Sequence, residues 1–241
     1  MDKLIGGLHP NELIVLAARP SVGKTGLALN IADNVSVKDK QTVFLVSLEM
    51  TKIELTMRLT GSHAKLNIQK IRGNALSEEE CHHFAVAADE LAKSPMYIDD
   101  TPKQTVAEIK AVARHIKQEH DLKLIIIDYL GLITPENPND PRQEQIATII
   151  RRLKVLAKEL QVPVLCLAQL NRQMGNNDNE RPRLSQLRES GSIEQDADVV
   201  ILIHREEGAT NAELIVAKQR NGATGNAMLT WTSEFARFDN M

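Results

Sequence analysis

"AARPSVGKT", residues 17–25, lies between an apolar run, Leu13–Ala18, and a segment with helical periodicity over residues 24–35. A strand, a glycine-containing turn and a helix form the context in which the pattern G-x-x-x-x-G-K-[ST] makes a phosphate-binding P-loop. Ala18 stands where that pattern has its first glycine. Glycine is needed where φ is positive or a ligand touches the backbone, whereas the first P-loop position only leaves the strand. We therefore expect the methyl group of Ala18 to be tolerated.

The rest of the stretch offers the groups that a nucleoside triphosphate needs. Backbone N–H groups would converge on the phosphates at a helix N-terminus, Lys24 would neutralise the β and γ charges, and the Thr25 hydroxyl would bind Mg²⁺. We predict that a nucleoside triphosphate and Mg²⁺ are bound by Ser21, Val22, Gly23, Lys24 and Thr25. The alternative is an ordinary glycine turn between a strand and a helix.

Composition restricts the class of protein. The 241 residues are 42% hydrophobic, which is enough for one sizeable core, and we predict a single domain over residues 1–241. Cys81 and Cys166 have no C-x-x-C spacing, so neither a disulfide framework nor a zinc site is indicated. The sequence has no long apolar run and no signal-peptide pattern, and we expect a cytoplasmic protein without membrane contact. A net charge of −3 restricts any nucleic-acid contact to a local patch.

Hydrophobic periodicity and capping signals divide the chain into alternating strands and helices. Capping boxes at Ser77 with Glu80 and at Thr105 with Glu108 open two of the predicted helices. Predicted strands cover residues 13–18, 42–48, 96–98, 122–128, 162–170, 198–206, 212–220 and 226–233, and predicted helices cover residues 24–35, 52–64, 78–93, 106–118 and a segment after residue 143. We predict an α/β fold with a mostly parallel central sheet flanked by helices and an antiparallel C-terminal meander, and a mobile loop over residues 171–182.

Polar side chains at strand ends are the next candidates for chemistry. Asp128 ends the apolar strand at residues 122–128, where α/β sheets bind ligands, and would hold Mg²⁺ largely through water. Glu49 follows the neighbouring strand and would orient or deprotonate the attacking water. Gln169 ends another strand and would sense the γ-phosphate through its amide. The alternatives are a strand-end turn for Asp128, a helix-cap partner for Glu49 and a loop-bracing amide for Gln169.

Two cations stand late in the chain, far from the P-loop in sequence. Lys218 and Arg220, in "AKQRNG", alternate to one face of a strand just before a turn. They are either solvated charges of an edge strand or an arginine finger that delivers positive charge to the γ-phosphate. The sequence leaves both interpretations open.

Basic residues also cluster around residues 171–190 and on the helix before it. They are Arg172, Arg181, Arg183 and Arg188, with Arg151, Arg152, Lys154 and Lys158 on the helix. Such clusters are mostly solvated faces, and with 3% aromatic residues the chain has too few stacking platforms for base recognition. Any DNA would be bound through its phosphates with little sequence preference. His82 and His83, beside Cys81, are expected to be surface residues rather than metal ligands.

The motifs "AARPSVGKT", "SLEM", "LIIIDYL", "LAQLNR", "RESGSIEQDAD" and "AKQRNGATG" occur in the order found in replicative helicases of the DnaB type, and the resemblance covers essentially the whole chain. The resemblance implies a RecA-like P-loop ATPase fold, a homo-hexameric ring, ATP hydrolysis at subunit interfaces and 5' to 3' movement on single-stranded DNA. Alanine is common at the first P-loop position of that family.

The resemblance also assigns roles to residues. Glu49 is similar to the catalytic base, Asp128 to the Walker B aspartate and Gln169 to the γ-phosphate sensor. Lys218 and Arg220 would act on the site of the neighbouring subunit. Arg188, Glu189 and Gly191 match the loop that follows the DNA backbone, and Arg172 is a further expected DNA contact.

The N-terminal primase-interacting domain and the linker helix of the family are expected to lie outside these 241 residues. Helicase loader and primase are therefore expected partners of a longer protein. Two other functions stay open at this point. They are a strand-exchange ATPase of the RecA kind and a nucleotide-gated assembly module without efficient turnover, for which a general base at Glu49 would be unnecessary.

Overall fold

A computed structural model describes residues 2–170, 181–187 and 190–241. Within these ranges one nine-stranded sheet carries eight helices. The strands are β1 (Leu13–Ala18), β2 (Thr42–Ser47), β3 (Met96–Asp99), β4 (Leu122–Asp128), β5 (Val164–Gln169), β6 (Val199–His204), β7 (Asn211–Gln219), β8 (Gly225–Thr232) and β9 (Arg237–Asn240). The helices are α1 (Asp2–Ile5), α2 (Lys24–Asp33), α3 (Lys52–Ala64), α4 (Ile68–Arg72), α5 (Glu78–Ala92), α6 (Val106–His120), α7 (Arg142–Leu160) and α8 (Ser190–Asp196).

The strand order across the sheet is β3-β2-β4-β5-β1-β6-β7-β8-β9. The pairs from β3 to β6 are parallel, and β7, β8 and β9 continue the sheet as an antiparallel meander. This arrangement confirms the predicted fold class. All the parallel strands point their carboxyl ends toward one edge of the sheet, so the residues that follow β1, β2, β4 and β5 meet there.

The parallel strands are buried on both faces. Alternate residues of β1 enter two different apolar layers: Leu13, Val15 and Ala17 pack on the side of α6 and α7, and Ile14, Leu16 and Ala18 on the side of α2 and α3. Continuous apolar runs are expected for strands covered by helices on both faces. The runs in β1, β4 and β5 therefore predict this sandwich of helix, sheet and helix directly.

Local capping chemistry fixes the start of three helices. The capping boxes predicted at Ser77 and Thr105 are both formed, and a third, at Thr51 with Glu54, opens α3. Each box satisfies backbone N–H groups that the first helical turn leaves without partners. The helix α4, capped by Asn67, was not predicted.

The C-terminal end departs most from the sequence-based prediction. The short strand β9 closes the meander against β8, although only Phe238 of its four residues is buried. A single buried residue gives no alternating pattern to detect.

The helix α2 also ends earlier than predicted and is followed by a π-helical segment at Asn34–Lys38. No helix in the described ranges is long and apolar enough to cross a membrane.

Candidate functional site

The P-loop connects the carboxyl end of β1 to the first turn of α2. Ala18 is the last residue of β1 and pairs with both Gln169 and Ile203, as expected for a position that only leaves the strand. Within residues 18–25, positive φ angles occur at Ser21 (64°) and Gly23 (114°). The loop therefore needs its backbone freedom at Gly23, and Ala18 fits where the usual pattern has glycine.

Gly23 is also confined by packing. A Cβ atom at this position would lie 2.8 Å from Cζ of Phe238. Gly23 is the N-cap of α2 and has no side chain that could accept a hydrogen bond from the N–H groups of the first turn. The N–H groups at this helix end are thus available to an anion, which is the arrangement that binds phosphate in P-loops.

A buried carboxylate lies against the start of α2. The Thr25 hydroxyl donates to Asp128 Oδ2 at 2.7 Å, and Lys24 Nζ lies 3.5 Å from Oδ1. Asp128 is 2% exposed, and its Oδ1 accepts no hydrogen bond within the described part of the chain. A buried carboxylate oxygen with open acceptor capacity beside a hydroxyl is the oxygen-donor set that Mg²⁺ prefers.

Tyr129 extends this cluster. Lys24 Nζ lies 4.4 Å from the centroid of the Tyr129 ring, which is within the range of a cation–π contact. Burial raises the pKa of Tyr129, and the nearby carboxylates of Glu49 and Asp128 raise it further, so the phenol stays neutral. Tyr129 was not predicted from the sequence to belong to the site, although its place directly after Asp128 was the available signal.

A cavity of about 740 Å³ opens above this edge of the sheet. The P-loop, Glu49 and Gln169 line one side of it. Arg58 of α3 and Arg72, at the end of α4, line another side and were also not selected from the sequence. A volume of this size is that of a cofactor site.

The strand-end polar residues lie where the sequence analysis expected them. Ser47 pairs with Asp128 across β2 and β4, so Glu49 lies just beyond the strand that neighbours Asp128, and its side chain is exposed. The cap of α3 is made by Thr51 and Glu54, so the alternative role of Glu49 as a cap partner is wrong. Gln169 is exposed at the end of β5, while Leu170 is buried and pairs with Leu187.

Lys218 and Arg220 lie at the opposite edge of the sheet. Gln219 pairs with Val199, which in turn is level with Ile14 near the start of β1. From Ile14 to the P-loop the sheet spans about 13 Å, at about 3.3 Å per residue. Within one chain, the structure therefore does not bring these two cations to the P-loop.

Both cations contact the last turn of α8 and the two residues that follow it. Lys218 Nζ donates to the main-chain oxygens of Glu194, Gln195 and Ala197, and Arg220 donates to Gln195 O (2.7 Å) and Asp198 Oδ1 (3.4 Å). Burial, followed by the charge of Arg220, lowers the pKa of Lys218. Lys218 is thus no freely solvated edge charge, whereas the Arg220 side chain is 47% exposed.

The predicted DNA contacts are only partly within the described residues. Arg172, Arg188 and Glu189 lie outside them, and so does most of the predicted loop. Gly191 belongs to α8 and is exposed, with open space around a Cβ atom built on it.

The basic patch expected on α7 is largely neutralised within the chain. The ion pairs are Arg151 with Asp196, Arg152 with Glu136 and Lys154 with Asp198, and Arg181 forms a two-point pair with Glu213. The helical periodicity of the sequence predicts the basic face of α7. It does not predict the acidic residues, distant in sequence, that pair with this face in the folded chain. His82 and His83 are exposed on α5, as expected for surface helix residues. The described residues contain no group of three or more His, Cys, Asp or Glu side chains that could hold a metal ion.

Comparison with known proteins agrees with this geometry. Residues 1–240 match the model of the DnaB-like helicase C-terminal domain. The chain is 44% identical to the replicative DNA helicase DnaC of Bacillus subtilis and 42% identical to DnaB of Geobacillus stearothermophilus. In both cases the match covers 100% of this chain and 55% of the relative, so the chain spans about half the length of these proteins.

A solved structure gives the same result for the fold. A DnaB-like replicative helicase, described with its interactions with primase, superposes with a TM-score of 0.94 at 37% identity. That superposition covers 100% of this chain and 60% of the other. With a P-loop after β1, a buried aspartate at the end of β4 and a family match over nearly its full length, the chain belongs to the DnaB-like helicase C-terminal domain family.

Proposed function

We propose that this chain is the ATP-hydrolysing motor of a replicative DNA helicase, with each active site completed by a neighbouring copy. The observation that carries the proposal is the separation of two half-sites. The P-loop, Glu49 and Gln169 line one cavity and Asp128 is hydrogen-bonded to Thr25 of that loop, while Lys218 and Arg220 lie at the opposite edge of the sheet.

ATP and Mg²⁺ fit the first half-site. The backbone N–H groups of residues 21–25 and the Lys24 ammonium would bind the phosphates. Thr25 Oγ1 and Asp128, with its open Oδ1, would hold Mg²⁺, largely through water. The bound ion would neutralise charge on the β- and γ-phosphates. Lys24, which Asp128 and Tyr129 keep at the cavity before any nucleotide arrives, needs little rearrangement to reach them.

Glu49 is the proposed general base. Its side chain lies at the cavity, one strand away from Asp128, and the neighbouring helix cap is formed without it. A carboxylate in this place can orient a water molecule and accept its proton as the water attacks the γ-phosphate. This role separates a motor from an assembly module, because a nucleotide switch does not need a general base.

Gln169 is the proposed sensor of the γ-phosphate. Its side chain faces the cavity, and the next residue, Leu170, pairs with Leu187, directly before Arg188. A shift of Gln169 on phosphate release would thus reach the proposed DNA loop through two adjacent main-chain segments. Arg188, Glu189 and Gly191, with Arg172, are the proposed contacts to single-stranded DNA, and their phosphate binding would carry little sequence preference.

Lys218 and Arg220 are proposed to act on the P-loop of the next subunit. The length of the sheet separates them from their own P-loop, and the Arg220 guanidinium is half exposed and able to reach another chain. A repeated head-to-tail contact of this kind closes into a ring, for which we propose a homo-hexamer. Lys218 also holds the carbonyls that end α8, so the same pair would transmit ATP hydrolysis to the DNA loop.

We further propose 5' to 3' movement on single-stranded DNA in the bacterial cytoplasm, with a helicase loader and primase as partners of the whole protein. The support for primase is the relative that is described with its interactions with primase. We also propose that residues 1–241 form one motor domain, since one sheet runs through them.

ATP hydrolysis with and without single-stranded DNA tests the proposal. The parent chain should hydrolyse ATP faster with DNA. Lys24→Ala should lose nucleotide binding, and Glu49→Gln should keep it while its turnover falls by about 10² to 10⁴. Glu54→Gln, which alters an acid of the nearby helix cap, is the matched control. Equal turnover in Glu49→Gln and the parent would reject Glu49 as the general base, and a parent chain that bound ATP without hydrolysing it would reject the motor in favour of a nucleotide switch.

A further inference from the structure

Arg205, the first residue after β6, holds the P-loop from behind. Its Nη2 donates to Ser21 O at 3.0 Å and its Nε donates to Val22 O at 3.2 Å. A third donor, Nη1, reaches Ala209 O at 3.3 Å in the turn before β7. One guanidinium thus ties two consecutive carbonyls of the loop to the start of the C-terminal meander.

These hydrogen bonds fix the direction in which the loop presents its N–H groups. In a trans peptide the carbonyl and the following N–H point to opposite sides. The Val22 carbonyl points to Arg205, so the N–H of Gly23 points away from it, on the side where Gly23 lines the cavity. The Ser21 carbonyl orients the Val22 N–H in the same way, and in this structure that N–H makes a long hydrogen bond to Arg19 O, 3.4 Å.

Aromatic packing supports the same face of the loop. The Arg205 guanidinium lies 5.4 Å from the ring of Trp231, whose centroid is 4.5 Å from that of Phe238. A Cβ atom on Gly26 would lie 3.2 Å from Trp231, and one on Gly23 would lie 2.8 Å from Phe238. Arg205 and this aromatic pair therefore hold the loop and the first turn of α2 against the meander.

The charge of Arg205 is not cancelled in this arrangement. Within the described ranges its partners are three carbonyl oxygens and an aromatic ring, although Glu206 and Glu207 follow it directly. Partial burial lowers the pKa of Arg205, which still leaves the guanidinium charged at neutral pH. A positive charge behind the loop adds to the field that attracts phosphate.

We propose that Arg205 is a positioning residue that preorganises the P-loop for the phosphates of the nucleotide. The inference rests on the proposed function, because it requires that the loop bind a nucleotide. The guanidinium contacts the loop and not the phosphates. Its loss therefore adds the free energy of ordering the loop to the binding step and weakens ground state and transition state equally, which raises KM and leaves kcat nearly unchanged.

Titration of the chain with the non-hydrolysable analogue AMP-PNP and Mg²⁺, followed by steady-state ATPase kinetics, tests this role. Arg205→Ala should raise the Kd and KM by about 10-fold with kcat within about threefold, because a loop without these two hydrogen bonds is ordered only when the nucleotide binds. Arg205→Lys keeps the charge but lacks the planar fork, and should recover part of the affinity.

Arg237→Ala is the matched control. Arg237 is a similarly buried arginine of the meander that donates to a main-chain oxygen, Ser62 O at 3.1 Å, away from the P-loop. It should leave the Kd within about twofold of the parent, since it leaves the loop contacts intact. Thermal denaturation of each variant separates a loss of fold from a loss of affinity, and Arg205→Lys keeps the test available if Arg205→Ala unfolds.

Parental Kd and KM values in folded Arg205 variants would overturn the inference, as would a fall in kcat at unchanged KM. Those outcomes leave the proposed function intact, because the parent would still bind and hydrolyse ATP. A parent chain that bound no AMP-PNP would overturn the proposed function and this inference with it.

Discussion

Two buried aspartates lie at opposite edges of the same sheet and differ in how many hydrogen bonds their carboxylates accept. Asp198, at the amino edge, accepts hydrogen bonds from Leu13 N (2.8 Å) and Lys154 Nζ (2.5 Å) through Oδ2 and contacts Arg220 through Oδ1. Asp128, at the carboxyl edge, accepts one from Thr25 through Oδ2 and none through Oδ1 in the described part of the chain. One carboxylate is satisfied by the fold, and the other keeps an oxygen available.

This difference indicates that Asp198 stabilises the fold and that Asp128 has an oxygen available for a ligand. A buried carboxylate without full hydrogen bonding opposes folding, so a protein keeps it where another group will use it. The amino edge nevertheless presents one charged side chain to solvent. Arg220 contacts Asp198, but about half of the Arg220 side chain is exposed. Each edge therefore carries part of one proposed active site.

The largest expected effect is the loss of ATPase turnover when Arg220, at the amino edge, is replaced. Arg220→Ala should lower ATPase turnover by about 10³ or more, which is the range for removal of an arginine finger. The thermal stability of Arg220→Ala should change little, because the Arg220 side chain is 47% exposed and Asp198 keeps its hydrogen bonds from Leu13 and Lys154. Steady-state ATPase assays and thermal denaturation measure the two effects. Parental turnover in Arg220→Ala would remove this residue from the active site.

The two aspartates themselves give the second test. Asp198→Asn should reduce the free energy of unfolding by about 3 kcal/mol, because it leaves buried Lys154 without its charge partner, and lower Tm by about 6–12 °C. Asp128→Asn should cost less, about 1–2 kcal/mol, because it keeps an oxygen for Thr25 and because the ion pair that it breaks is longer, with Lys24 Nζ 3.5 Å from Oδ1. Chemical and thermal denaturation without nucleotide measure both. Equal losses in the two variants would contradict the comparison.

The smallest effect is expected at the first P-loop position. Ala18→Gly should leave the Kd for nucleotide within about twofold and reduce stability by about 0.5–1 kcal/mol, because glycine weakens a strand. Gly23→Ala is the contrasting variant, since it places a Cβ atom against Phe238 at a positive φ, and it should abolish nucleotide binding. Nucleotide titration compares them. Tighter binding by Ala18→Gly would show that Ala18 damages the loop.

Features with local causes could be predicted from the sequence. The P-loop, the capping boxes at Ser77 and Thr105 and the apolar strands β1, β4 and β5 each follow from residues close together in the chain. The carboxyl ends of parallel strands share one edge, so the meeting of Asp128, Glu49 and Gln169 at the P-loop was also predictable.

Features that depend on distant partners could not be predicted. Arg205 contacts P-loop carbonyls 183 and 184 positions away, and the sequence predicts only the end of a strand at its position. The basic face of α7 is visible in the sequence, but Asp198, which neutralises Lys154, lies 44 positions later. The helix α4 has five residues, too few to show helical periodicity.

The most direct test of a site shared between two copies is a mixture of two inactive variants. Lys24→Ala keeps Arg220 but lacks a working P-loop, and Arg220→Ala has the reverse defect. In a random ring about a quarter of the interfaces would pair an intact P-loop with an intact Arg220, so ATPase activity should return to a substantial fraction of the parental rate. A mixture no more active than its separate components, under conditions where the parent is active, would contradict the account.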